Sequence, residues 1–393
     1  MTEDRERGTR VQAALAAAGL DALVCRLPEN LVLLAGYWPV IGRSAVVVPR
    51  EGDPVLVAPS LEQEALRRTT IADVRTFRVW HLDDPAPDVV LGTLLRQIAA
   101  DRGLRGKRIG IEASFEDLAP TQKILEPWAP ATPSRDVLTE AFGDHLIDAT
   151  NLLVETRGRK TPYEIERIRT AVEVAVFGLE AFAEAVALGR RDVEIAAAVE
   201  HAVATRGAGY SGTLHARAQA LVFSGEDRLA AYGWGVAPSS TRVLQDGDLV
   251  MIELSVVADG YYADLTRMRA AGHVSAEVVE AYEAVREAQA AAVRAVRPGV
   301  AWAAVDAAAR DILHARGYGK AFIHHTGHGV GFRYHEPIPF LHPQAQGVLE
   351  EGMVLTIEPG IYGPGIGGIR IEDNIVVGST GAVMLSERSR DLT

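Results

Sequence analysis

The chain has one cysteine, Cys25, in 393 residues, so no internal disulfide can hold it together and the fold must rest on its core. Cys25 lies beside the apolar run Ala22-Leu23-Val24 and reads as a core thiol. No stretch approaches the ~18–20 consecutive apolar residues of a membrane-spanning helix. The N-terminal Thr2-Glu3-Asp4-Arg5-Glu6-Arg7 is charged and has no apolar stretch behind it of the kind that marks a secretory signal. A basic excess is missing too. The formal net charge of −12 argues against nucleic acid or an anionic membrane surface as partner. A soluble, cytoplasmic protein is the expectation. What the chain does have is apolar content: 48% of its residues are hydrophobic, which supplies a large core and excludes a disordered chain. Its length favours two or three domains over one.

Residues 10–19 read as an amphipathic helix ending at Gly19. Strands follow at 22–25, 44–48 and 55–58, then a helical stretch over 60–68, a strand at 74–79, a helix at 85–102 and a strand at 108–111. Such alternation predicts an α/β layer structure. The pattern weakens over 140–157, which sets the expected division into domains 1–150 and 151–393. Thr161 as N-cap, Pro162 at the first helical position and Glu164 beyond it then form a helix-start signature. Two long helices (163–187, 191–206) precede strands at 219–223 and 249–258. Two more (275–297, 301–316) precede strands at 353–358 and 369–377. The helix-helix-strand-strand unit is thus written twice, without obvious residue identity. A pseudo-twofold arrangement would put any site between the two copies.

Five residues in the last third carry the chemistry: Glu253, Asp264, His328, Glu358 and Glu372. Each lies in an apolar or glycine-rich stretch, where an uncompensated charge is costly. Glu253 and Asp264 flank Asp259-Gly260, a strong hairpin-turn signal, and should be near neighbours across the ladder. The same spacing relates Glu358 and Glu372 about Gly365, while His328 sits in Thr326-Gly327-His328-Gly329-Val330-Gly331. A lone acid in a strand is usually solvent-facing or salt-bridged. Four placed symmetrically in two hairpins point instead to a cation, because clustered carboxylates repel one another. Oxygen-rich ligation with one imidazole suits Mn2+, Co2+ or Fe2+ better than a structural zinc. The glycine-rich run at 360–368 leads into a strand rather than a helix, so it is not a phosphate loop.

The segments GDLVMIELSVVADGYYADLTR (247–267), HHTGHGVGFRYHEP (324–337), GMVLTIEPGIY (352–362) and GIRIEDNIVV (368–377) resemble the signature blocks of the Xaa-Pro aminopeptidase, prolidase and creatinase superfamily. LDALVCRLPENLVLLAGY (20–37) and RGRKTPYEIERIRTA (157–171) extend the likeness over nearly the whole chain. The resemblance implies an α+β protein: a pita-bread C-terminal domain with pseudo-twofold ααββ repeats, preceded by a smaller α/β domain. It implies a metal-dependent hydrolase that cleaves the amide or imide bond of a small peptide with a metal-activated water, and a homodimer. Two divalent ions, Mn2+ foremost with Co2+, Fe2+ or Zn2+ as alternatives, would be bridged by Asp264 and Glu372. His328 and Glu358 would hold one ion and Glu253 the other. Glu358 falls at the general acid/base position, His335 and His324 lie near the substrate, and Arg370 pairs with the ligand carboxylates.

Two residues depart from the family pattern. Glu253 stands where aspartate is usual, which weakens the expectation of a second ion. After Ser224-Gly225 the substrate-side histidine is missing and Tyr232 takes its place; a phenol with pKa near ~10 is a poor proton shuttle at neutral pH. Tyr232 and Trp234 are therefore either pocket or packing residues. His325, His342, His215 and His273 read as packing or surface residues. The main rival is a creatinase-like C–N hydrolase of a small non-peptide molecule, with or without metal. A catalytically inactive binding module would predict scattered loss of the acids and His328, which the sequence does not show.

Overall fold

The apolar runs of the N-terminal half assemble into one mixed sheet. In the computed structural model, which describes residues 5–40, 42–79, 85–113, 132–233, 238–386 and 391–392, the first of two units spans Met1–Arg157. Its elements are α1 (Arg5–Ala17), β1 (Ala22–Cys25), α2 (Pro28–Ala35), β2 (Ala45–Pro49), β3 (Val55–Pro59), α3 (Gln63–Leu66), β4 (Asp73–Phe77), α4 (Pro87–Asp101), β5 (Ile109–Ile111), α5 (Thr132–Phe142), β6 (Leu146–Asp148) and α6 (Thr150–Gly158). The sheet order is β4-β3-β2-β1-β5-β6. β1, β2 and β3 are buried at every position, as expected of strands covered on both faces. The helical stretch expected over 60–68 is only a 3-10 turn, Ser60–Glu62, followed by α3.

The second unit, Gly158–Thr393, begins at the expected cap. Thr161 Oγ1 accepts from the Glu164 N–H at 3.3 Å, and Glu164 Oε2 accepts from the Thr161 N–H at 2.8 Å. This reciprocal capping box starts α7 (Pro162–Ala185). There follow α8 (Asp192–Gly207), β7 (Ala216–Ser224), α9 (Glu226–Tyr232), β8 (Asp248–Ala258) and β9 (Tyr261–Ala271). The second copy of the pattern has α10 (Ala276–Ala295), α11 (Trp302–Ala315), β10 (Gly327–Gly329), β11 (Glu336–Leu341), β12 (Val354–Ile357), β13 (Gly360–Gly363), β14 (Gly367–Arg370), β15 (Asp373–Val377) and β16 (Ala382–Met384). The sheets run β7-β8-β9, β11-β10-β12-β15-β16 and β13-β14. An apolar core including Met251, Val285, Leu355 and Ile375 joins strands from both copies to the helices packed on them.

Asp259 and Gly260 adopt φ of 48° and 87°, the left-handed pair of a type I′ turn that matches strand twist. The single strand expected over 369–377 is in fact two, β14 and β15, which belong to different sheets. Their break at Ile371-Glu372 matches the gap between β12 and β13, where Pro359 has no N–H to continue a ladder. The Glu372 N–H instead donates to Thr266 O at 3.2 Å. Asn374 fixes the same seam: its side chain accepts from the Asp264 N–H at 3.0 Å and donates to Asp264 O at 2.7 Å. The first hairpin is thereby held against the second. Among the described residues, no helix is long and apolar enough to cross a membrane.

Candidate metal centre

Ladder register decides which side chains meet. Thr266 of β9 stands directly opposite Glu253 of β8, and Asp264 lies on the same face one diagonal step away. On the other hairpin the ladder of β12 and β15 stops at Ile357 opposite Asp373, and that of β13 and β14 starts at Gly360 opposite Arg370. Glu358 and Glu372 thus occupy matching positions in the gap. His328 is the middle residue of β10. Only glycine fits on either side of it: a Cβ on Gly327 would lie 2.0 Å from Thr356 O, and one on Gly329 would lie 2.2 Å from Ile338 O.

The five side chains converge. One ligand atom each from Glu253, Asp264 and Glu372 fall within 4.8 Å of one another, as do those of Asp264, His328 and His335, and of His325, His328 and Glu358. Relative exposures of 8, 1, 1, 7 and 1% for Glu253, Asp264, His328, Glu358 and Glu372 leave little water to neutralise this charge. Burial, then the neighbouring Asp264, Glu358 and Glu253 carboxylates, push the Glu372 carboxyl well above its ordinary range, with Arg370 opposing. Such a cluster is electrostatically frustrated until a cation or protons enter it.

Hydrogen bonding shows which of the two suits it. His328 Nδ1 lies 2.9 Å from Gly329 O, a carbonyl that can only accept, so Nδ1 carries the hydrogen. Nε2 is then a bare lone pair. It faces Glu358 Oε1 at 3.3 Å and Asp264 Oδ2 at 3.6 Å, and among the described residues it has no hydrogen-bond partner. Burial lowers the imidazole pKa to about 4, against the pull of Glu358, so His328 does not itself carry a second proton near neutral pH. Glu372 Oε1 is likewise buried without a hydrogen-bond partner. Thr266 Oγ1 lies 2.8 Å from Glu253 Oε2 and 2.7 Å from Glu372 Oε2, but its single proton can serve only one of them. Converging oxygens and one imidazole lone pair, short of donors, fit a divalent cation.

The other expected site residues surround this cluster. The His335 ring lies 4.1 Å from that of His328. Arg370 contacts Glu253 Oε2 through Nη2, Thr266 Oγ1 through Nε at 3.0 Å, and Tyr362 Oη through Nη1 at 3.2 Å. His324 donates from Nδ1 to His325 O at 2.7 Å, so its Nε2 accepts from the Tyr362 hydroxyl at 3.2 Å. Burial lowers the His324 pKa to about 4, against Glu358, and the ring is neutral. Tyr232 ends α9, but its side chain lies outside the described residues, as does Trp234.

Sequence reasoning missed four participants. His325, read as packing, places Nε2 3.5 Å from Glu358 Oε1; its position beside His324 and ahead of His328 was the available signal. Thr266 follows from the register of the first hairpin, directly opposite Glu253. Tyr362 links His324 to Arg370. Tyr334, immediately before His335, donates to Glu253 Oε1. Burial first, then the Asp264, Glu253 and Glu372 carboxylates, hold its hydroxyl well above the usual phenol range.

Residues 166–379 match metallopeptidase family M24, and residues 7–157 match the creatinase/prolidase N-terminal domain. The chain belongs to metallopeptidase family M24. Its relatives include an Xaa-Pro dipeptidase of Pyrococcus horikoshii, 38% identical over 374 residues, covering 95% of this chain and 94% of that one. Among solved structures, an Xaa-Pro dipeptidase from Bacillus anthracis superposes with a TM-score of 0.80 at 26% identity, covering 99% of each chain. An X-Pro aminopeptidase from Thermotoga maritima gives 0.77 at 27% identity, covering 96% of this chain and 99% of that one. The chain therefore has the pita-bread fold and is a hydrolase whose family implies a divalent metal cofactor.

Proposed function

We propose that this M24 hydrolase cleaves the bond before proline in short peptides, as a dipeptidase or aminopeptidase, with Mn2+ as its working ion. Asp264, His328, Glu358 and Glu372 would hold the first ion, and Glu253 with Asp264 and Glu372 offers an all-carboxylate position for a second. The observation that carries the reading is the buried lone pair of His328 Nε2, aimed at Glu358 and Asp264 without a hydrogen-bond partner among the described residues. The substrate class rests on the Xaa-Pro dipeptidase relatives.

A divalent ion bound here supplies Lewis acidity, lowering the pKa of water and polarising the scissile carbonyl. The chain's own groups do the rest. The Glu358 carboxylate, oriented by Thr356 Oγ1 at 3.2 Å, takes a proton from the attacking water and returns it to the leaving nitrogen. His335, on the rim beside His328, donates a hydrogen bond to the oxygen that gains charge in the transition state. Neutral His324, tied to Tyr362, lines the same side. Arg370 offsets the negative charge of Glu253.

The test combines elemental analysis with a panel of Xaa-Pro dipeptides and tripeptides. The expected result is at least one Mn2+ per chain after loading and hydrolysis that stops on chelation. A protein that takes up no Mn2+ when offered it, or one that is loaded yet inert on the whole panel, would sink the proposal. His335→Ala should lower kcat by about 10²–10³-fold, the scale of losing one transition-state donor, with metal content unchanged in the same assay.

A further inference from the structure

Tyr334 has no part in the chemistry just described, yet its hydroxyl points into the centre. It lies in the turn between β10 and β11, with its ring 4.3 Å from that of His335 and 6.4 Å from that of His328. The hydroxyl donates to Glu253 Oε1. The other oxygen, Oε2, receives Arg370 Nη2 and faces Thr266 Oγ1 at 2.8 Å. Both oxygens of Glu253 therefore face protein donors, whereas His328 Nε2 and Glu372 Oε1 have no hydrogen-bond partner among the described residues. The two sides of the centre are prepared differently for a cation.

We propose that Tyr334 sets the metal stoichiometry, holding Glu253 by its hydroxyl so that the chain binds one divalent ion tightly and a second only weakly. This rests on the metal-centre reading above. A second ion on the carboxylates of Glu253, Asp264 and Glu372 needs a lone pair from Glu253. Taking Oε1 breaks a hydrogen bond to an ionised carboxylate, which is of the strong kind. Taking Oε2 brings the ion toward the Arg370 guanidinium, and like charges at that range repel. The first ion has His328 Nε2 and Glu372 Oε1, which no donor among the described residues holds. Tyr334 is thus a positioning residue whose target is Glu253.

Metal-free protein titrated with Mn2+ by calorimetry, with spin resonance at each equivalent, distinguishes the cases. The wild-type chain should show one tight site, a second weaker by about tenfold or more, and the spectrum of an isolated ion at one equivalent. Tyr334→Phe keeps the ring and removes only the donor. It should tighten the second site by about tenfold and give an exchange-coupled pair at two equivalents. Glu253→Asp, which shortens the side chain away from the hydroxyl, should move the second affinity in the same direction. Two equally tight sites in the wild-type chain, or a second affinity unmoved in both variants, would overturn the role of Tyr334. A chain that takes up no Mn2+ in any form would overturn the metal centre itself, and this inference with it.

Discussion

Glu358→Gln should lower turnover by about 10³-fold or more while leaving the metal-free protein folded. The activity loss follows from the role of the carboxylate. An amide cannot accept the water's proton, and groups acting as general acid or base contribute about 10²–10⁴-fold. An amide oxygen is also a weaker ligand than a carboxylate, so affinity for Mn2+ should fall as well. The metal-free protein should also lose some stability. Burial raises the Glu358 carboxyl, but the His325 ring, His328 and Arg370 outweigh it and hold the group well below the ordinary carboxylate range, so the folded chain favours a charge that the amide lacks. The amide oxygen can still accept from Thr356 Oγ1, which sits 3.2 Å from Oε1. The check is kcat on an Xaa-Pro dipeptide beside thermal melts with and without Mn2+. Near-normal turnover in a metal-loaded variant would remove Glu358 from the mechanism. A metal-free melting temperature above that of the parent would show that repulsion from the neighbouring carboxylates outweighs the His325, His328 and Arg370 contacts.

The assembly of this centre was partly legible in the sequence. Asp259-Gly260 announced a tight hairpin, and a tight hairpin has a register, so the proximity of Glu253 and Asp264 could be read from spacing alone. With Asp259 and Gly260 as the two turn residues, the same spacing sets Glu253 against Thr266 and leaves Asp264 on the diagonal. The break at Ile371-Glu372 was invisible because 369–377 contains no glycine or proline to mark it. It is made by the first hairpin, whose Thr266 carbonyl takes the Glu372 N–H. In the N-terminal unit, apolar runs bounded by glycine and proline gave the strands. Their order, β4-β3-β2-β1-β5-β6, depends on pairings such as Val24 with Ile111 that are remote in sequence. Tyr334 and His325 escaped for a similar reason. A residue beside a site histidine alternates away from it in a regular strand, but both lie outside β10 and β11, where that alternation does not hold. Local pattern finds residues that share an element, whereas tertiary contact decides which others reach them.

Lys160→Met should be the most destabilising single change near the site, at about 3–5 kcal/mol. Lys160 and Glu336 form an ion pair whose side chains are 0% and 2% exposed. The lysine belongs to the segment that opens the second unit, where its N–H donates to Gly352 O at 2.9 Å. Glu336 also accepts from the Phe332 N–H at 3.2 Å and pairs with Gly329 across β10 and β11. Methionine fills much of the same volume but leaves the carboxylate buried without its cation, and removing one partner of such a pair costs far more than the pair itself contributes. Adding Glu336→Gln to Lys160→Met should therefore recover most of the loss, because no net charge then remains in the pocket. Urea unfolding of both single variants and the double variant closes the cycle. Additive losses would mean that the two residues stabilise the fold independently. The location of Glu336 gives the pair a second consequence: it follows His335 directly and anchors the turn that carries Tyr334. In the recovered double variant, Mn2+ affinity on the His328 side should match the wild type while kcat stays depressed, since the amide holds the His335 turn less firmly than the ion pair does.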